Sequence, residues 1–159
     1  LPYDPLDSFA WIGMLGLGPS VLSVHAALPV SSVRDLLAHG KANPGKLVLS
    51  TSGGYAQFSS ELFHHMSGLK LIVVVYKGGF PALLDAMAGQ AQINIGSLIQ
   101  TLPHMNTGKI RALATTGARR SAAAPDLPTI AEAGVPGYEM SAWIGVLRRL
   151  SAAQLPFLR

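Results

Sequence analysis

The segment Leu49–Phe63 reads LSTSGGYAQFSSELF. It joins a short apolar run, Lys46–Leu49, to a helical pattern from about Gln57. The link is three hydroxyl residues, Ser50, Thr51 and Ser52, followed by Gly53 and Gly54. A strand that turns at once into a helix is the repeating joint of an α/β sheet. Its chemistry has two readings. The hydroxyls can cap the helix while the glycines make the turn. Alternatively, the first-turn amides, which lack partners inside the helix, face an anion that the glycines let approach. The local residues fit both.

The same alternation continues on either side. Further strands are expected at Val21–His25, at Leu71–Tyr76 within the buried-looking run 69–76, at Ala91–Ile95, at Ile110–Thr116 and near Met140–Leu147. Between them lie amphipathic helices. Ser32–Ala42 carries Val33, Leu36 and Leu37 on one face, with Ser32 and Asp35 spaced as a capping box. Gln57–Met66 carries Phe58, Leu62, Phe63 and Met66. Phe80–Ala88 has Pro81 in its first turn and Gly89 past its end. Leu98–Thr107 is helical in two pieces at most, because Pro103 removes a donor. Thr129 and Glu132 are spaced as a second capping box, with Gly134 as a stop. The expected fold class is therefore α/β, a mostly parallel sheet in three layers with helices on both faces. Ligands of such sheets gather at the carboxyl ends of strands, where Leu49–Phe63 lies.

Composition narrows the function classes. The chain has 159 residues, 49% hydrophobic and 13% charged, which suits one well-cored domain or one lobe of a larger protein. No apolar run reaches the roughly 18–20 residues of a membrane span, so no membrane insertion is expected. The net charge is +4, but Arg148, Arg149 and Arg159 supply most of it, and the rest of the chain is nearly balanced. That distribution does not make a nucleic-acid footprint. Cysteine is absent, which removes disulfides and thiolate metal sites, and the five histidines show no ligand spacing. No metal and no cofactor is expected.

Three constellations remain. Ser50-x-Ser52-x-Gly54 approaches the strand–turn–helix nucleophile elbow, with Asp85 and His104 following in hydrolase order. That makes an esterase using Ser52 the enzymatic alternative, although Asp85 falls inside an expected helix. Lys77-Gly78-Gly79 ends the most apolar strand, where the lysine can attract an anion or simply be solvated on a turn. Gly13, Gly16 and Gly18 match no dinucleotide fingerprint, and no nucleotide P-loop is present.

An ordered series of phrases resembles the substrate-binding receptors of tripartite tricarboxylate transporters, the Bug-type periplasmic proteins. The phrases are LPYDPL at 1–6, LPVSSV at 28–33, the run from Gly53 to Phe63, VYKG at 75–78 with PAL at 81–83, LPH at 102–104, GKIRAL at 108–113 and PDLPTIAEAGVPGYE at 125–139 with Trp143. The resemblance runs to about Leu147. It implies a non-catalytic receptor that captures a small carboxylate (a di- or tricarboxylate, an amino acid or an aromatic acid) between two lobes and delivers it to membrane permease subunits. It implies a periplasmic location and a Rossmann-like lobe of the type II periplasmic-binding-protein fold. By position, the ligand-binding residues would be Ser52, Gly53, Gly54, Tyr55 and Gln57, then Lys77, Gly78 and Gly79, then Gly96 and Ser97 in the loop after the strand ending at Ile95. Gln57 stands where the family commonly has His, and Gly96 where many members have Asp. On the same basis residues 1–20 are expected to be the crossover from a first lobe whose opening is missing. Residues 21–147 would be the ligand-binding lobe, and 148–159 an atypical basic tail from a frameshifted or truncated reading frame. An inert relic of a receptor is the remaining alternative.

Overall fold

The structure, a computed structural model, describes residues 9–149. Three consecutive strand–helix joints form its centre. Strands β2 (Leu47–Ser52), β3 (Leu71–Tyr76) and β4 (Ile93–Ser97) are connected by helices α2 (Tyr55–Ser67) and α3 (Gly79–Met87). β2 pairs parallel with β3 from Leu47↔Leu71 to Ser52↔Tyr76, and with β4 at Leu49↔Ile93 and Ser50↔Asn94. β1 (Phe9–His25) runs antiparallel to both β4 and β5 (Ile110–Thr115), which gives the order β3-β2-β4-β1-β5. A sixth strand, β6 (Ser141–Arg149), pairs with β1. Strands β2 to β5 thus share one direction and β1 opposes them. The mostly parallel sheet holds, with β1 as its antiparallel member.

Alternation along the strands sorts the core into two faces. Leu22, Leu47, Leu49, Ile93 and Ile95 point to one side, where they pack with Val33 and Leu36 of α1 (Val33–Ala42), Phe63 of α2 and Ile130 of α5 (Ile130–Ala133). Val21 points to the other side and packs with Leu98 of α4 (Leu98–Thr101) and with Ala124. On that side the Ser50 hydroxyl donates to the Ala82 carbonyl of α3 at 3.0 Å. Helices therefore cover both faces, as expected. Gly40 lets α1 settle on Leu69, since a Cβ there would sit 2.9 Å from that side chain.

Several local expectations change. β3 is not buried. It is the edge of the sheet, with Ile72 and Val75 exposed, because only β2 pairs with it. β4 does not end at Ile95; Gly96 and Ser97 belong to it, paired with Val21 and Ser20 of β1. β1 begins at Phe9, well before Val21; the glycines at 13, 16 and 18 and Pro19 mask a strand that tertiary pairing sustains. α2 begins at Tyr55 rather than Gln57, and its Phe58 faces solvent while Phe63 fills the core. Ser32 caps α1 through the Asp35 amide, but the reciprocal half is missing, because the Asp35 carboxylate accepts from the amide and hydroxyl of Ser31. The segment 98–107 is split as Pro103 requires, α4 being followed by a 3-10 turn at Leu102–Thr107.

The chain divides into two compact units. One runs from Pro19 to Ala142 and holds the core above. The other is formed by the described residues before Pro19 and after Ala142. In the smaller unit the rings of Trp11 and Trp143 meet edge to face, 5.2 Å between centroids. Gly145 makes room for them; a Cβ there would lie 2.6 Å from the Trp11 ring. The expected tail lies, from residue 150 on, outside the described residues, as do residues 1–8.

Candidate functional site

Because β2, β3 and β4 are parallel, their carboxyl ends share one edge, and α2, α3 and α4 each begin there. The caps at this edge differ from those elsewhere. α1 and α5 start on Ser32 and Thr129, whose hydroxyls accept amide hydrogens of the first turn. α2 and α3 start on Gly54 and Gly78, which have no side chain to do so. Their leading amides therefore remain directed at the edge, where the helix dipole favours negative charge. Gly54 has φ +70°, a conformation glycine adopts without strain, and nothing lies within 4 Å of where a Cβ would stand at Gly53 or Gly54. The loop is open to an approaching ligand. Among the alternatives for Leu49–Phe63, the one in which a hydroxyl of the loop caps the helix is not what forms.

The hydroxyls of this stretch are divided. Ser50 and Thr51 are wholly buried and structural. Ser50 donates to Ala82 and receives a bond from the Asn94 amide at 3.0 Å, and Thr51 reaches the Ile95 carbonyl at 3.3 Å. Ser52 is half-buried at the end of β2, opposite Tyr76. Gly53 and Gly54 are exposed at the loop tip, and Gln57 is half-buried in the first turn of α2. Lys77 is exposed on the neighbouring loop, with half-buried Gly78 and Gly79 leading into α3. Ser97 is exposed at the start of α4 and half-buried Gly96 precedes it. A Cβ on Gly96 would press to 2.9 Å from the Asn94 side-chain oxygen, which is buried without a partner. The three loops thus share an edge.

Tyr55, expected among the ligand-binding residues, opens α2. Its hydroxyl is buried and unpartnered, in surroundings contributed by Thr116, Ser20 and the Ala142 backbone, and burial pushes its pKa up. The side chain is directed into the fold rather than out of the loop. Thr116 itself is engaged with the backbone of Ser20 in both directions, at 2.8 and 3.2 Å.

The hydrolase set is not assembled. Asp85 accepts a hydrogen bond from the Tyr76 hydroxyl at 2.7 Å, which raises the Tyr76 pKa, and His104 lies against Phe80. Among the described residues no hydrogen bond links Ser52, Asp85 and His104. A separate cleft of about 350 Å³ is lined by Met105, Asn106 and Arg111 among others. It lies at the amino end of β5, the opposite edge from the glycine loops, and its Arg111 is occupied by the Val30 carbonyl.

Residues 1–151 match the family described as "Tripartite tricarboxylate transporter family receptor". The chain belongs to this family. It is 34% identical to the protein BugT of Bordetella pertussis over 149 residues, covering 92% of this chain and 46% of BugT. Among solved structures, Rpa4515 of R. palustris with adipate superposes with a TM-score of 0.86 at 38% identity, covering 98% of this chain and 54% of that one. The periplasmic binding protein BugD superposes with a TM-score of 0.84 at 26% identity, covering 97% and 53%. The chain spans about half the length of the relatives it matches. The periplasmic-binding-protein lobe expected from the sequence is thus the fold observed.

Proposed function

We propose that the chain is the carboxylate-binding lobe of a tripartite tricarboxylate-type solute receptor, non-catalytic, with its ligand held at the carboxyl edge of β2, β3 and β4. The observation that carries this reading is the pair of glycine-capped helices, α2 and α3, whose first-turn amides are left without side-chain caps at one edge. An anion there meets two helix N-termini and the nearby Lys77 charge, with hydroxyls from Ser52 and Ser97 in reach of adjustment. Gly53, Gly54, Gly78, Gly79 and Gly96 act by keeping backbone accessible, and Gln57 offers an amide. Tyr55 supports the loop from inside. The adipate of the Rpa4515 structure supports a small carboxylate as ligand. Membership of the family supports a periplasmic location and delivery to permease subunits. Residues 21–147 are the ligand-binding lobe and 1–20 the crossover in this reading.

Titration of the isotopically labelled chain with adipate, followed by amide chemical shifts, tests it. Shifts are expected to concentrate at residues 53–55 and 78–79, with roughly millimolar affinity, because one lobe supplies only part of the desolvation. Shifts confined to other surfaces, or matched by an equal concentration of chloride, would overturn it. Ester turnover lost in Ser52→Ala would point to the enzymatic alternative instead.

A further inference from the structure

α3 opens on two glycines that its backbone does not require. Gly78 has φ 175°, extended backbone that any residue adopts, and Gly79 is not among the glycines with a left-handed φ. What keeps position 79 free of a side chain is a neighbour. A Cβ on Gly79 would stand 2.6 Å from Oε1 of Gln100, with Cδ at 3.6 Å and Nε2 at 3.9 Å. Gln100 is the third residue of α4, the helix that follows β4 at the same edge. Its amide therefore lies against the first residue of α3. The segment after it sends His104 onto Phe80, the second residue of α3, with 6.4 Å between ring centroids. Gln100 is exposed, yet its side chain ends on a residue that offers it only backbone, and among the described residues it has no hydrogen-bond partner. Its oxygen carries the partial negative charge of an amide and stands at the end of α3 where negative charge is favoured.

We infer, on the reading of this edge as a carboxylate site, that Gln100 is a further ligand-binding residue contributed by α4, whose amide first gives way to the carboxylate and then holds it. In the free chain the Gln100 oxygen stands where an oxygen of the anion would meet the leading amides of α3. A carboxylate has two oxygens and about four acceptor positions, so the α3 amides satisfy only part of it. The glutamine amide has an acceptor at one end and two donors at the other, and half a turn about its last torsion, a broad one, exchanges them. Turned in that way, it donates to the carboxylate oxygen that α3 leaves open. Lys77 supplies charge on a flexible stem and does not fix direction. Gln100 fixes direction without adding charge. Its neutrality matters as well, because a glutamate at 100 would reach the same place as a permanent anion and fill the site from within. Gly79 completes the arrangement by leaving the room in which the amide turns.

Two variants of the full chain, Gln100→Ala and Gln100→Glu, test this by amide chemical shifts. In Gln100→Ala the adipate midpoint at residues 78–79 is expected to rise about three- to tenfold, the loss of one hydrogen bond, with the thermal transition unmoved. Gln100→Glu needs no ligand for its first readout. The amides of residues 79 and 80 are expected to shift between about pH 3 and pH 7, through the titration of the new carboxylate. At neutral pH they are expected to respond no further to adipate, while residues 53–55 still respond. An adipate midpoint in Gln100→Ala equal to that of the unaltered chain would overturn the inference. So would amides 79 and 80 of Gln100→Glu that follow pH no differently from the unaltered chain. Both failures are separable from failure of the carboxylate reading, in which the unaltered chain shows no adipate shifts at residues 53–55 and 78–79; in that case both fall.

Discussion

Among the described residues Tyr138 is the largest side chain wholly inside the fold, and its hydroxyl is satisfied by one distant residue. It donates to the Ser59 carbonyl at 2.9 Å and accepts from the Ser59 hydroxyl at 2.7 Å, while its ring meets Phe63 edge to face. Burial pushes its pKa from 10.0 up to about 12. The folded state therefore holds this proton more tightly than the unfolded chain does. Stability from this group is complete below about pH 10 and is lost as pH rises toward 12, an effect of order 2 kcal/mol. Thermal melts between pH 8 and 12 are expected to show that decline in the native chain. Tyr138→Phe should be less stable by about 1–2 kcal/mol at neutral pH, having orphaned Ser59, and its melting temperature should fall less steeply above pH 10. Tyr55 and Tyr76 shift in the same direction, so some slope survives in the variant. The phrase PGYE around Tyr138 is readable as a sequence motif. Its partner 79 residues away is not, since nothing local in either segment specifies the other.

At the level of elements, legibility follows how local the cause is. The α5 start was expected from the Thr129–Glu132 spacing, and both halves of that box form: the Thr129 hydroxyl accepts from the Glu132 amide and the Glu132 carboxylate from the Thr129 amide, each at 3.1 Å. The second bond is also what holds the Glu132 carboxyl below its usual range. Thr129→Ala is expected to cost about 1 kcal/mol, read as a lower urea midpoint with unchanged slope. α1 shows the limit of such reasoning, because Ser31 competes for the Asp35 carboxylate that the spacing assigns to Ser32. β1 lies further out of reach. Its glycines read as a break; antiparallel partners contributed from residues 93–97 and 110–115 hold its Ser20–His25 end, and β6 pairs with it as well. Phe58 fits the helical stripe of α2 by spacing yet faces solvent, since spacing gives a face and not how much of it is covered. At the candidate site, the sharing of one edge by the loops at 52–57, 77–79 and 96–97 was legible from the alternation of strand and helix. The Tyr55 hydroxyl has Ser20 and Thr116 in its surroundings, which sequence distance conceals.

For the whole molecule, the core clusters fall inside residues 19–142. A chain limited to those residues is expected to keep a cooperative thermal transition within about 5 °C of the full chain, measured by far-UV circular dichroism. Loss of cooperativity would mean that the flanking strands are needed for the core to form. The edge-to-face pair of Trp11 and Trp143 gives such experiments an optical consequence. They are the only two tryptophans of the chain, and both lie outside the Pro19–Ala142 unit. Indole emission therefore reports on one compact unit alone, and tyrosine excited in the truncated chain reports on the other. Melts of the full chain by indole emission and of the truncated chain by tyrosine emission thus follow the two units separately, with no label attached.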